Sequence, residues 1–111
     1  MIDWSRAKEL YEEVGPEDFS EVVEIFLEEV EGTIEKLRSP DLATLEQDLH
    51  FLKGSALNLG FRQFSRLCQE GERRSAQGEA KEVNTGAIIT SYEASREEFM
   101  RDMNSQLRAE N

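Results

Sequence analysis

The chain carries a single histidine, His50, and it opens the run His50-Phe51-Leu52-Lys53-Gly54-Ser55-Ala56-Leu57-Asn58-Leu59-Gly60. At about 100° per residue around a helix, Gly54 falls about 40° from His50 in projection and one turn along. Glycine in mid-helix costs about 1 kcal/mol relative to alanine. Here its missing side chain clears the space over the imidazole. Gln47 and Glu46 lie one turn before His50, and Lys53 sits about 60° to one side. An exposed imidazole is a competent nucleophile near neutral pH, because a large share of it is uncharged. It can accept a phosphoryl group on nitrogen, and Lys53 is within reach to offset the added negative charge.

Other chemistries fit these residues less well. A catalytic triad needs an adjacent nucleophile and an orienting acid, but Ser55 lies on another helix face and no strand-turn-helix elbow is present. Glu46 and Glu72 could join His50 around a metal, yet one imidazole with surface carboxylates binds metals weakly and unspecifically, so no metal site is expected. Lys53-Gly54-Ser55 mimics the end of a nucleotide-binding loop without its upstream glycines or strand. Cys68 sits on a leucine-phenylalanine stripe and reads as core. As the only cysteine, it excludes internal disulfides and two-cysteine zinc patterns. Three readings stay open on these residues alone: a phosphoryl carrier, an acidic helical adaptor without phosphoryl chemistry, and an enzyme with His50 as general base in a concave pocket.

Five helical segments are expected to position these groups. The first runs from about Asp3, a plausible N-cap, to Val14, with Gly15 ending it. Its apolar residues are Trp4, Ala7, Leu10, Tyr11 and Val14. The second starts at Pro16, with Glu17 and Asp18 near the positive end of its dipole, and Pro40 stops it near Ser39. Phe19, Val22, Val23, Phe26, Val30, Ile34 and Leu37 form its stripe. The third begins around Asp41. Its seam of Leu42, Leu45, Leu49, Leu52, Ala56 and Leu59 centres roughly 130° away from His50, which turns the ring outward. Gly60 ends this helix, and the short passage through Phe61 makes the next one an antiparallel neighbour. The fourth runs from about Arg62 to Gln77, with Phe64, Leu67, Cys68 and Gly71 inward. Gly71 reads as a packing residue. After a polar stretch from Glu79 to Val83, Asn84 or Thr85 caps a fifth helix carrying Ile88, Ile89, Tyr92, Phe99, Met103 and Leu107. The tail Arg108-Ala109-Glu110-Asn111 is expected to fray. No β-type alternation, repeat or low-complexity tract occurs. The predicted fold is all-α: an antiparallel up-down-up-down four-helix bundle with a short additional N-terminal helix.

The length of 111 residues suits one domain, 1–111, with one core. Hydrophobic residues at 38% and charged residues at 33% point to a folded domain with a solvated surface rather than a disordered chain. No apolar stretch is long enough to span a bilayer, and the start lacks the regions of a signal peptide. With one cysteine, these features predict a cytoplasmic protein. A net charge of −11 argues against nucleic acid or an anionic membrane as partner. The charge is uneven. Residues 51–78 hold Lys53, Arg62, Arg66, Arg73 and Arg74 against Glu70 and Glu72, a net +3 that leaves −14 for the remainder. This basic stretch directly follows the histidine, and it reads either as a solvated helix or as a basic rim for an acidic partner.

His50-Phe51-Leu52-Lys53-Gly54-Ser55, with Leu59-Gly60 closing the helix, resembles the motif of histidine-containing phosphotransfer (HPt) domains, the intermediates of multistep two-component phosphorelays. Ile2-Asp3-Trp4, Asp18-Phe19 and Phe26-Leu27 resemble the family's first two helices, so the likeness covers nearly the whole chain. It is especially close to the fungal stand-alone type, and Met1 just before the first helix favours a free-standing protein.

The resemblance implies that His50 is phosphorylated, through its outer ring nitrogen. Lys53 would stabilise the phosphoryl group and its transfer, Gly54 would leave room for the partner, and Ser55 would support the helix locally. Glu72 falls where related proteins place a polar partner near the imidazole. A carboxylate there can orient the ring and raise its basicity, but it repels the phosphoryl group. The partners implied are receiver domains of response regulators or hybrid sensor histidine kinases, whose phosphorylated aspartate and bound magnesium meet His50. The chain itself is expected to need no cofactor, to turn over no small molecule and to be a monomer. Docking is expected on an apolar patch beside the histidine. Its candidates are Leu10, Tyr11, Phe19 and Val23 from the first helix and the start of the second, with Leu57 from the third.

Overall fold

The computed structural model describes residues 2–108. Its first helix, α1 (Trp4–Val14), starts where the Asp3 carboxylate accepts the Arg6 backbone N–H at 3.3 Å. That bond satisfies one of the helix's unpaired donors. Helix α2 spans Phe19–Leu37, α3 Leu45–Asn58, α4 Arg62–Ala76 and α5 Thr85–Met103. A single 3₁₀ turn, Ala80–Glu82, interrupts the α4–α5 connection, and a wider π-type turn, Asn104–Arg108, follows α5. Asn84 is the cap of α5, its side-chain oxygen accepting the Ala87 N–H at 3.0 Å. Of the tail expected to fray, all but Arg108 lies outside the described residues.

Two helices start later than the sequence suggests. The Gly15 carbonyl accepts from the N–H groups of both Asp18 and Phe19, so Pro16–Asp18 form a turn and α2 begins at Phe19. Asp41 does the same before α3: its carboxylate takes the Ala43 N–H at 2.9 Å and its carbonyl the Thr44 N–H at 3.1 Å. Such local Asx bonding competes with the helix ladder. Leu42 therefore leaves the seam and is 48% exposed, a correction to its expected inward place. Leu67 is only half-buried.

Cross-helix contacts give the directions. Ser65 meets the Lys53 backbone, Glu72 meets His50 and Gly71 faces Leu49, so α4 runs antiparallel to α3. Phe64 on Tyr92 and Gly71 on Ile88 make α5 antiparallel to α4. Glu31 of α2 and Arg38, its C-cap, reach Arg96 and Glu93 of α5, again antiparallel. The fold is thus an all-α, up-down-up-down bundle of α2–α5, with α1 packed against one end. There Trp4 stacks on Phe99 at 5.3 Å and Tyr11 meets Phe19 edge-on at 5.1 Å.

The turn between α3 and α4 locks onto the same end. Asp3 N–H donates to the Gly60 carbonyl at 2.6 Å, and Ile2 pairs with Phe61 in an isolated antiparallel bridge. Gly60 has φ +79°, and a side chain there would run into the Asp3 carbonyl, so only glycine fits. Phe19, Phe61, Phe64 and Phe99 are fully buried in the core, with Leu37, Leu45, Leu49, Leu52 and Leu59. No described helix is long and apolar enough to cross a membrane.

Candidate functional site

Leu45, Leu49, Leu52 and Ala56 anchor α3 to the core, and the same helical periodicity puts His50 on the opposite side. The imidazole is 69% exposed. A Cβ added at Gly54 would have nothing within 4 Å, so the space in front of the ring is open. A groove of about 540 Å³ runs between α4 and α5 along Gln63, Leu67, Ala87 and Ser91, and His50 does not line it. That groove therefore gives no concave setting for His50 as a general base.

Helix α4 supplies the partner of the ring. Glu72 Oε2 lies 2.8 Å from His50 Nδ1, and Glu72 Oε1 lies 2.9 Å from Lys53 Nζ. Glu72 and Lys53 are largely covered, with side chains 20% and 25% exposed. The Lys53 ammonium, first, and then the imidazole hold the Glu72 carboxyl below its ordinary range, against the opposing effect of burial. An ionised carboxylate only accepts hydrogen bonds. The Nδ1 nitrogen must then carry the proton and donate it to Glu72, which leaves the lone pair of a neutral ring on Nε2.

Close helix packing brings this carboxylate to the ring. Gly71 faces Leu49, and a Cβ at Gly71 would come within 2.8 Å of Leu49 Cδ1 and 3.2 Å of Val83 Cγ1. Without that side chain α4 approaches α3, and the next residue on each helix, Glu72 and His50, meet. Ser65 Oγ fixes the level by donating to the Lys53 carbonyl at 3.3 Å. Cys68, also on this interface, is fully buried, and burial, with the Glu72 charge adding to it, pushes its thiol up to about 12. That thiol is a core group and not a nucleophile.

The sequence-predicted residues thus separate. His50 and Lys53 converge on Glu72 as one set, the first by a hydrogen bond and the second by an ion pair, with Gly54 open in front of it. Ser55 is half-buried, and its hydroxyl takes no part in that set. Glu46 is exposed, and no group of three or more metal-ligating side chains occurs among the described residues.

The docking candidates divide the same way. Leu57 is 48% exposed on the α3 surface. Leu10 and Tyr11 are each 7% exposed, Phe19 0% and Val23 1%, so these four belong to the core, a correction to their expected place on a docking patch. A bundle this small needs them inside: Tyr11 and Phe19 close the end where α1 packs. The apolar residue that sequence reasoning missed is Phe51, 40% exposed beside the imidazole. Its signal was present, because it falls off the leucine seam about 100° from His50.

Comparison with known proteins adds three findings. The family model for the Hpt domain matches residues 21–110. The phosphorelay intermediate protein YPD1 of Candida albicans (strain SC5314 / ATCC MYA-2876) is 36% identical over 75 residues, a match covering 62% of this chain and 41% of that protein. The chain therefore matches less than half the length of that curated relative. No solved structure matches the chain.

Proposed function

This chain belongs to the Hpt domain family, and from that membership we propose that it is a phosphoryl carrier in a multistep phosphorelay, with His50 receiving the group from one receiver aspartate and passing it to another. The observation that carries this reading is the exposed imidazole whose Nδ1 is held by Glu72 at 2.8 Å, with Nε2 left as the free lone pair. The relative's name, a phosphorelay intermediate, supports it.

In the transfer, Nε2 attacks the phosphorus of an aspartyl phosphate on the partner. The N–P bond forms, the P–O bond to the aspartate breaks, and its electron pair stays on the aspartate as a carboxylate. The ring, still protonated at Nδ1, becomes positively charged. Glu72 faces that nitrogen and stabilises the charge as it develops. Lys53 offsets the negative charge of the incoming phosphoryl group, and its pairing with Glu72 keeps the carboxylate from repelling that group at full strength. The reverse sequence delivers the phosphoryl group onward.

Any magnesium is the receiver's, as is most of the electrophilic assistance. The chain acts as a carrier and not as an enzyme with its own small-molecule turnover. It works as a cytoplasmic monomer and docks receivers of response regulators or hybrid sensor kinases over Gly54, Phe51 and Leu57. Ser55 supports this stretch of α3 from behind.

Incubation with a phosphorylated receiver is expected to yield an acid-labile, base-stable phosphoprotein. His50→Gln is expected to lose the label while keeping the helical circular-dichroism spectrum; a variant that still labels defeats the assignment. Lys53→Ala is expected to slow transfer without unfolding the bundle, and an unchanged rate would remove Lys53 from the mechanism.

A further inference from the structure

The outer face of α4 presents a row of arginines beside the imidazole. Arg62, Arg66 and Arg73 are spaced by four and then seven residues, which brings all three within about 40° of one another around the helix. The row spans 12 residues, about 16 Å along the axis. It runs level with the site: Ser65, next to Arg66, bonds the Lys53 carbonyl, and Glu72, next to Arg73, holds His50.

The three side chains are exposed. Among the described residues, Arg66 and Arg73 form no ion pair, and Arg62 reaches only Asp3, at 3.7 Å. Glu70 is the one carboxylate interleaved with the row, exposed and likewise unpaired. Internal salt bridges therefore leave most of this charge unspent.

Other helices carry the other sign. Glu21, Glu24, Glu28, Glu29 and Glu35 are exposed along α2, and Glu9, Glu12 and Glu13 along α1. The molecule is thus electrically polarised, with its basic edge adjoining His50 and the bulk of its net −11 elsewhere. Such a distribution attracts an acidic partner to one face and repels it from the others.

We propose that the Arg62–Arg66–Arg73 row of α4 steers the acidic reacting face of a phosphorylated receiver domain onto His50. The proposal rests on the phosphoryl-carrier reading above. The chemistry of that reaction makes the partner's face anionic, since it presents an aspartyl phosphate before transfer and a free aspartate afterwards. Guanidinium groups suit this task because they keep their charge at every physiological pH. The apolar contacts around Phe51 and Leu57 hold the docked complex, and the arginine row sets how fast and in which orientation it forms.

The test measures phosphoryl transfer from the phosphorylated receiver that labels the wild-type protein fastest, over a range of ionic strength. The wild-type association rate is expected to fall as salt rises. The variant R66E/R73E is expected to be slower by about tenfold at low salt and to lose that salt dependence. R66K/R73K keeps the charge and is expected to restore both. R38E/R101E changes the net charge equally at two arginines outside the row, Arg38 beside Glu35 and Glu93 and Arg101 of α5 beside Asp102, and is expected to behave as wild type. If R66E/R73E matches wild type in rate and salt slope, or if R38E/R101E slows transfer as much, the steering role is wrong while the carrier function stands. If no receiver labels the wild-type protein, the carrier reading fails and the steering role falls with it.

Discussion

Glu72 is the residue on which the geometry of the site turns, because one carboxylate holds both the imidazole and the lysine ammonium. Replacing it separates orientation from charge. In Glu72→Ala the ring loses its Nδ1 acceptor, and ¹⁵N spectra of His50 are expected to shift from the Nδ1–H tautomer toward Nε2–H, which masks the nucleophilic nitrogen. Transfer is expected to slow by about tenfold to a hundredfold, as when other partners that orient a reactive histidine are removed. In Glu72→Gln an amide oxygen can still accept from Nδ1, so the tautomer is expected to survive while transfer slows less.

The pH dependence has a definite sign. The Glu72 carboxyl is held below its ordinary value of 4.5 by Lys53 and His50. A group depressed on folding stabilises the native state above its unfolded value, and that stabilisation disappears as pH falls through the folded one. Urea unfolding is therefore expected to show wild type more stable than Glu72→Gln near neutral pH, with the gap closing as pH drops below about 4.5.

At the scale of the helices, two mid-helix glycines do opposite work. Gly71 lies between α4 and α3, with Leu49 Cδ1 2.8 Å from where a Cβ would be. Gly71→Ala is expected to cost about 1–3 kcal/mol in urea unfolding, since overpacking forces the helices apart. It is also expected to slow transfer by drawing Glu72 away from His50. A Cβ on Gly54 meets nothing within 4 Å. Gly54→Ala is therefore expected to stabilise the protein by up to about 1 kcal/mol, through helix propensity alone. A larger side chain at the same place, as in Gly54→Leu, is expected to leave the bundle folded yet slow transfer by about tenfold or more, because it props the partner away from the ring. Gly32 in α2 also packs against nothing, so it is the neighbouring imidazole that gives the open space at Gly54 its meaning.

For the molecule as a whole, stability and chemistry occupy different regions. Phe99 stacks on Trp4 of α1, meets Phe19 of α2 at 6.5 Å and packs edge-on against Phe61 at the α3–α4 turn, at 5.6 Å. One ring so placed joins four segments at one end of the bundle. Phe99→Ala is expected to cost about 3–5 kcal/mol and lower the melting temperature markedly. Below that temperature the variant is expected to transfer phosphoryl groups at the wild-type rate, because His50, Lys53 and Glu72 are held by the α3–α4 contact instead. A matching loss of transfer at temperatures where the variant is folded would show that the two regions are coupled.

The primary structure by itself determined the helical class, most helix ends and the outward side of His50. Leucine periodicity decides which side of α3 is buried, Asp3 and Asn84 supply their own caps, and a lone histidine opposite the seam has nowhere to point but outward. These are local properties, set by residues within a few turns of one another. Only the tertiary structure decided that Glu72 meets both His50 and Lys53, since that depends on α4 lying close enough to α3 at Gly71. It also moved Leu10, Tyr11, Phe19 and Val23 into the core and left Phe51 and Leu57 at the surface. An amphipathic pattern says that a residue prefers company, but how much apolar surface the neighbouring helices cover is a property of the packed bundle.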